Sequence, residues 1–87
     1  MRKLLYGYVE SFSERIRCYI IIEEIFQGDD MLCENYGLEL VGRNGRNEVR
    51  NITVNSGRIN RTAALVCALG TTPEELRRVV ENIVSTW

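Results

Sequence analysis

The stretch TTPEELRRVVENIVSTW, residues 71–87, predicts a helix whose first turn is specified position by position. Thr72 is a preferred N-cap residue, and Glu75 three positions later completes a capping box. Pro73 suits the first helical position because it has no N–H group to leave unpaired. Apolar residues then recur at spacings of three and four and form one stripe, which consists of Leu76, Val79, Val80, Ile83, Val84 and Trp87. We therefore predict a helix over residues 73–86.

The segment before it predicts a second helix, over residues 58–69. Its apolar stripe is formed by Ile59, Ala63, Val66 and Leu69. Gly70 is well placed for the left-handed residue that ends a helix. Ser56 and Asn60 are both suitable N-cap residues, and the sequence does not choose between them. The two helices would share one apolar side.

The first two thirds of the chain predict strands, at residues 4–9, 15–26, 34–42 and 47–54. Alternate residues of a strand lie on the same face, and in three segments these residues are apolar. They are Ile16, Cys18, Ile20 and Ile22 in the second segment and Tyr36, Leu38 and Leu40 in the third. In the fourth segment Ile52 and Val54 are expected on the core side. Turns are predicted at residues 10–14 and 27–30. Asn44-Gly45 predicts a type I′ hairpin turn, since both central residues of that turn need positive φ.

Together these segments predict a single α+β domain over residues 1–87. An antiparallel sheet of three or four strands would be followed by two C-terminal helices that pack on one face. The first segment would be an edge strand. The other sheet face would be half polar, and it would either be solvated or pair across a dimer. Its predicted residues are Arg17, Tyr19, Ile21, Glu23, Glu39, Val41 and Arg50.

Composition disfavours several classes of function. The 87 residues carry a net charge of −1, so no general affinity for nucleic acid or anionic membranes is expected. There is no His to serve as a zinc ligand or as the base of a catalytic Cys, so we predict a non-enzymatic protein without a metal or other cofactor. The three widely spaced cysteines favour free thiols in a reducing cytosol. No signal or membrane-spanning segment is recognised, so we predict a cytoplasmic protein.

A helix-turn-helix over residues 64–84 is one alternative, with Gly70 in the turn and Arg77 and Arg78 as DNA contacts. Glu74 and Glu75 open the would-be recognition helix, where phosphates would repel them, so nucleic acid is disfavoured as a partner. A second alternative is a small-molecule pocket between sheet and helices, lined by Tyr19, Tyr36 and arginines.

The leading hypothesis is a protein-interaction or regulatory module that self-associates, most simply as a homodimer. It follows from the small size, the apolar central strand and the lack of a catalytic motif. The predicted interface residues are Tyr19, Ile21, Val41, Ile83 and Trp87.

Three elements also resemble a family of small bacterial domains of unknown function. They are the strand YGLEL at residues 36–40, the strand ending ITV at residues 52–54, and the helical tail TPEELRRVVENIV at residues 72–84. In that family a YGI-like strand leads to a Pro-x-x-Leu-x-x-Val helix, and the match would cover residues 15–86. A His often precedes the leucine there, where this chain has Glu75. The resemblance implies a fold and no mechanism.

Overall fold

The computed structural model describes residues 1–11, 14–27 and 31–87, in which four strands precede two α-helices. The elements are β1 (Arg2–Glu10), β2 (Arg15–Gln27), β3 (Met31–Val41), β4 (Arg46–Thr53), α1 (Ser56–Ala68) and α2 (Leu76–Val84), with a 3₁₀ turn at Pro73–Glu75. The strands form one antiparallel sheet in the order β1-β2-β3-β4. The predicted α+β fold is confirmed in its four-stranded form. The turns predicted at residues 10–14 and 27–30 lie partly outside the described residues.

The helices cover one face of the sheet, called here the helix face, and the opposite face is called the open face. Cross-strand pairs such as Ile20↔Leu38 and Cys18↔Leu40 put the predicted apolar parities on the helix face. These strand residues are buried in one core with residues of both helices: Ile59, Ala63, Val66, Leu76 and Val80. Helix α1 contacts β1, β2, β3 and β4, whereas α2 packs mainly against β4.

The capping signals explain where the helices begin and end. The Glu75 carboxylate accepts hydrogen bonds from the Thr72 backbone N–H at 3.2 Å and from its hydroxyl at 3.0 Å, which confirms the predicted capping box. Gly70 has φ 64° and ends α1 as predicted. The N-cap of α1 was predicted wrongly: Asn55 accepts a hydrogen bond from the Arg58 N–H at 2.9 Å, because β4 ends at Thr53 and the helix follows at once.

The β3–β4 hairpin is present, but its turn type was predicted wrongly. The strands separate after the pair Val41↔Arg46, and the Gly42 N–H donates to the Gly45 carbonyl at 2.8 Å across a four-residue loop. Neither Asn44 nor Gly45 has the positive φ of a type I′ turn, since the longer loop does not require it. Val54 is also not on the core side, because it lies beyond the end of β4 and is 55% exposed.

β2 and β3 extend beyond their neighbours as a two-stranded arm. The pairing of β1 with β2 stops at Ile22, and the pairing of β3 with β4 stops at Tyr36. In the part of the chain that the structure describes, the segments 23–27 and 31–35 therefore pair only with each other. The molecule measures 48 × 26 × 17 Å. At the base of the arm, Glu34 accepts from the Arg2 guanidinium at 2.7 Å and from the Tyr36 hydroxyl at 3.1 Å.

Candidate interaction surfaces

β1 is a nine-residue edge strand with an apolar, exposed centre. It pairs with β2 along one side, and its other side has no strand partner among the described residues. Four of its large side chains are substantially exposed: Leu4 (51%), Leu5 (49%), Tyr6 (39%) and Tyr8 (44%). Unpaired N–H and C=O groups along such a strand can pair with a strand of another chain.

β4, at the opposite edge, differs from β1 in where its charges lie and in its backbone at Asn51. Both edge strands carry three charged residues, and both shift register, β1 between Leu5 and Gly7. Arg46, Glu48 and Arg50 lie along it, and its register shifts opposite the segment between Tyr36 and Leu38. Asn51 has φ 58°, a left-handed conformation that is uncommon for a residue with a side chain. Charges and bulges are the devices by which natural sheets discourage pairing at an edge. Both edges have them, but the charges of β1 lie only at its ends, whereas those of β4 extend to its centre.

A buried carboxylate organises the open face. Glu39 is only 3% exposed, and its two oxygens lie 3.1 Å from Lys3 Nζ and 3.0 Å from Arg46 NH2. A charge that is nearly excluded from water needs such partners, because desolvation would otherwise outweigh any gain from burial. Lys3 belongs to β1 and Arg46 to β4, so these ion pairs span the width of the sheet.

A second group of charges adjoins the first on the open face. Arg50 lies 3.7 Å from Glu23 and 3.5 Å from Glu48, which links β4 to β2. Ile21, which shares this face, has 0% exposure. Much of the open face is therefore covered by its own charged side chains rather than presented as an apolar surface.

The outer side of the helix layer carries a groove between α1 and α2. It has a volume of about 450 Å³, and its apolar floor is formed by Leu65, Leu69, Val79 and Ile83. Leu65 is 46% exposed and Leu69 64% exposed, although both follow the helical apolar period. Leu69 was predicted as part of the core stripe of α1, and this was wrong because it lies after the last turn of the helix.

The groove continues into a second depression of about 300 Å³, which shares Leu65, Ile83 and Thr86 with the first. Arg58, Arg61 and Trp87 line this end. The Arg58 guanidinium lies 5.0 Å from the centre of the Trp87 ring, within the range of a cation–π contact. We call the two depressions together the helix groove.

The predicted interface residues do not form one surface. Tyr19 and Val41 lie half-buried on the open face, and Ile21 is buried there. Ile83 and Trp87 line the helix groove on the other side of the molecule. Trp87 is 43% exposed and therefore contributes to the surface as well as to packing.

The residues predicted for the two alternatives are placed as follows. Arg77 and Arg78 are exposed on α2, and Arg78 forms an ion pair with Glu75 at 3.2 Å. Tyr19 pairs with Glu39 on the open face, whereas Tyr36 pairs with Ile22 on the helix face. The sheet separates the two tyrosines, so the prediction that they line one pocket is wrong.

Cys18 and Cys67 have the properties of core thiols rather than nucleophiles. Burial and the neighbouring Cys67 thiol raise the pKa of Cys18 to about 12, and burial also raises the pKa of Cys67. A nucleophilic cysteine needs the opposite shift. Across residues 1–11, 14–27 and 31–87 no group of three or more potential metal ligands occurs. Within the same ranges, no helix has the length and apolar character required to cross a bilayer.

Two sets of surface residues were missed from the sequence. The exposure of Leu4, Leu5, Tyr6 and Tyr8 could have been inferred, because a meander places its first strand at an edge. Arg58 and Arg61 could not have been assigned to the groove, since their position depends on how α1 and α2 pack.

Comparisons of the chain with protein-family models, with curated proteins and with solved structures gave no match. The resemblance to the bacterial domain family therefore stays a prediction.

Proposed function

We propose that this protein is a non-enzymatic interaction module that self-associates through β1. Two copies would pair their β1 strands antiparallel about a twofold axis perpendicular to the sheet, which would produce one eight-stranded sheet. The observation that carries the proposal is the exposed apolar centre of an edge strand with one unpaired side.

The difference between the two edges supports β1 as the interface. Both edge strands shift register, β1 between Leu5 and Gly7, so charge is the difference that matters. β4 carries Arg46, Glu48 and Arg50 along its length, whereas the segment of β1 from Leu4 to Val9 carries no charge. The residues at the ends of β1, Arg2 and Glu10, have opposite signs and would approach each other in an antiparallel pair. A long unprotected apolar edge promotes aggregation unless it has a specific partner.

The predicted interface is revised accordingly. Tyr19 pairs with Leu5 on the open face and so lies one strand away from the proposed contact. Buried Ile21 and the groove residues Ile83 and Trp87 are not part of it. The homodimer hypothesis is retained with Leu4, Leu5, Tyr6 and Tyr8 as its main apolar residues.

Mass in solution tests the proposal directly. The chain has a mass of 10.0 kDa, so light scattering coupled to size exclusion should give twice that value at micromolar concentration. Leu5→Lys adds a charge to an exposed side chain and should give the monomer with an unchanged circular dichroism spectrum. Val54→Lys is the matched control, since Val54 is also exposed but lies outside β1, and it should remain dimeric.

Two results would contradict this proposal. One is a wild-type protein that stays at 10.0 kDa up to several hundred micromolar. The other is a wild-type dimer that Leu5→Lys leaves intact, which would place the contact elsewhere on the surface.

The biochemical setting is part of the same proposal. Cys18, Cys33 and Cys67 are free thiols, which supports a reducing compartment such as the cytoplasm. The raised pKa of Cys18 makes this buried thiol a poor nucleophile at neutral pH. DNA binding through Arg77 and Arg78 is disfavoured because Glu74 and Glu75 directly precede them in the sequence and would repel phosphates.

A further inference from the structure

The helix groove has an apolar floor that the chain itself leaves uncovered. Leu65 and Leu69 on one side and Val79 and Ile83 on the other belong to two consecutive helices. The contact between Arg58, in the first turn of α1, and Trp87, just past the end of α2, shows that the helices run antiparallel. The groove therefore follows the length of both helices.

The dimensions of this groove fit one short helix. Along α1 it extends from Arg58 to Leu69. Eleven helical steps at about 1.5 Å each give roughly 17 Å, or about three turns of a helix lying in the groove. A helix of that length presents apolar residues at positions i, i+3 or i+4, and i+7, which is the usual pattern of groove-bound helices.

The charges around the groove are predominantly positive, in contrast to the acidic chain as a whole. Among the described residues, its lining side chains include Arg58, Arg61 and Arg78 but only one acid, Glu75. Glu75 forms an ion pair with Arg78, whereas Arg58 and Arg61 take part in no ion pair within the described residues. A net charge of about +2 thus surrounds the apolar floor. Acidic side chains on a bound segment would be complementary to it.

We propose that the helix groove binds an amphipathic, acidic helix of another protein. The apolar side of that helix would lie on Leu65, Leu69, Val79 and Ile83. Carboxylates at its edge would pair with Arg58 and Arg61, and Trp87 would be covered at the end of the groove. This inference goes beyond self-association, because it uses the other side of the molecule and a different partner.

A concave groove favours a helix over the other anionic macromolecules. A membrane surface is broad and would not follow a groove between two helices. A nucleic acid could pair its phosphates with the arginines at the rim, but it offers no aliphatic side to cover the floor formed by Leu65, Leu69, Val79 and Ile83. These two partners are included in the test as competing outcomes.

Trp87 provides an intrinsic probe, because it is the only tryptophan in the chain and lines the groove. Four designed peptides of about 14 residues are titrated into the protein while Trp87 emission is followed. The first is helical with Leu at groove spacing and Glu elsewhere, and the second replaces Glu by Lys. The third and fourth carry the same compositions in scrambled order, without an amphipathic face.

We expect saturable binding of the amphipathic acidic peptide, at least tenfold tighter than that of the other three. Arg61→Glu, a change at an exposed position, should weaken binding of the amphipathic acidic peptide at least tenfold and strengthen binding of the amphipathic Lys peptide. Leu69→Ser should weaken the binding of both amphipathic peptides. Val54→Ser is the control, because Val54 is comparably exposed but lies outside the groove.

The proposal is overturned if none of the four peptides binds at 1 mM peptide, on the order of the weakest specific affinities. It is also overturned if acidic and basic peptides bind equally, or if Arg61→Glu has no effect. Anionic phosphatidylglycerol vesicles or a single-stranded oligonucleotide that shift Trp87 emission when no peptide does would identify a different partner.

The failure of one proposal can be separated from the failure of the other. The peptide titration is repeated on Leu5→Lys, which changes β1 and leaves the groove untouched. Equal peptide affinity for the wild type and for this variant is expected. If Arg61→Glu or Leu69→Ser instead lowers the mass in solution while Leu5→Lys does not, a second copy occupies the groove, and both proposals are wrong.

Discussion

Gly37 lies where the backbone of the neighbouring strand leaves no room for a side chain. It lies on β3, paired with Ile21 on one side and facing the register shift of β4 on the other. A Cβ atom added there would clash with the Val49 carbonyl oxygen and would lie 2.9 Å from Arg50 Cα. Both are backbone atoms, so no side-chain rotation can relieve the contact, and Gly37→Ala must push β4 away from β3.

The magnitude follows from what that displacement disturbs. Overpacking typically costs about 1–3 kcal/mol, and weakening one adjacent ladder hydrogen bond adds about 0.5–1.5 kcal/mol. A total of about 1.5–4.5 kcal/mol would be a large part of the roughly 5–15 kcal/mol available to a domain. At about 4–8 °C per kcal/mol for this size, the midpoint of thermal unfolding should fall by at least about 6 °C.

Thermal unfolding followed by circular dichroism, together with urea titration, measures the effect. Gly45→Ala is the matched control: an added Cβ there has no neighbour within 4 Å, and φ is not positive. That variant should be as stable as the wild type or more stable by about 0.4–1 kcal/mol, through its effect on the unfolded chain. A Gly37→Ala midpoint within about 2 °C of the wild type would refute the argument, since the strands would then separate without cost.

Two further predictions follow from titrating groups. Hydrogen bonds from the Thr72 backbone and hydroxyl lower the pKa of Glu75, so its stabilising contribution should be complete above the unfolded value of about 4.3 and be lost as the pH falls through the lower folded value. The urea midpoint of Glu75→Gln should therefore lie below that of the wild type at pH 7 and converge with it in acid. The midpoint of the control, Glu74→Gln, should follow that of the wild type at every pH. A Glu75→Gln midpoint that is lower by the same amount at all pH values would contradict the argument. Burial and a pKa of about 12 should protect Cys18 from iodoacetamide at pH 8 until the protein unfolds. Peptide mass spectrometry measures the extent of modification. If Cys18 in the native protein is modified as fast as half-buried Cys33, the core opens locally and the expectation is wrong.

Local signals in the sequence were sufficient for most of the fold. The box formed by Thr72 and Glu75, together with Pro73, specifies the start of the second helical segment through contacts within four residues. Gly70 ends α1 for an equally local reason, its positive φ. Strand parity placed Ile20 and Leu38 in the core because alternation on a half-buried sheet is a property of each strand alone.

The errors occurred where a residue's environment depends on other elements. Asn55 caps α1 only because β4 ends two residues earlier, and Val54 is exposed for the same reason. The burial of Glu39 requires Lys3 and Arg46 from opposite edges of the sheet, which no local pattern indicates. The predicted interface mixed residues of two surfaces, because periodicity identifies apolar positions but not the layer that covers them.

The two proposed contacts would reinforce each other through geometry. Antiparallel pairing of β1 about a twofold axis perpendicular to the sheet keeps both helix layers on the same side. Because α1 lies over β1 and α2 over β4, the two copies of α1 would lie next to the axis, with a helix groove beside each. A partner with two acidic helices could then bind both grooves, and the second contact would form at the high effective concentration set by the linker. Loss of pairing in Leu5→Lys should leave the affinity for a single helix unchanged and weaken only a tandem peptide, which separates avidity from contact at the groove.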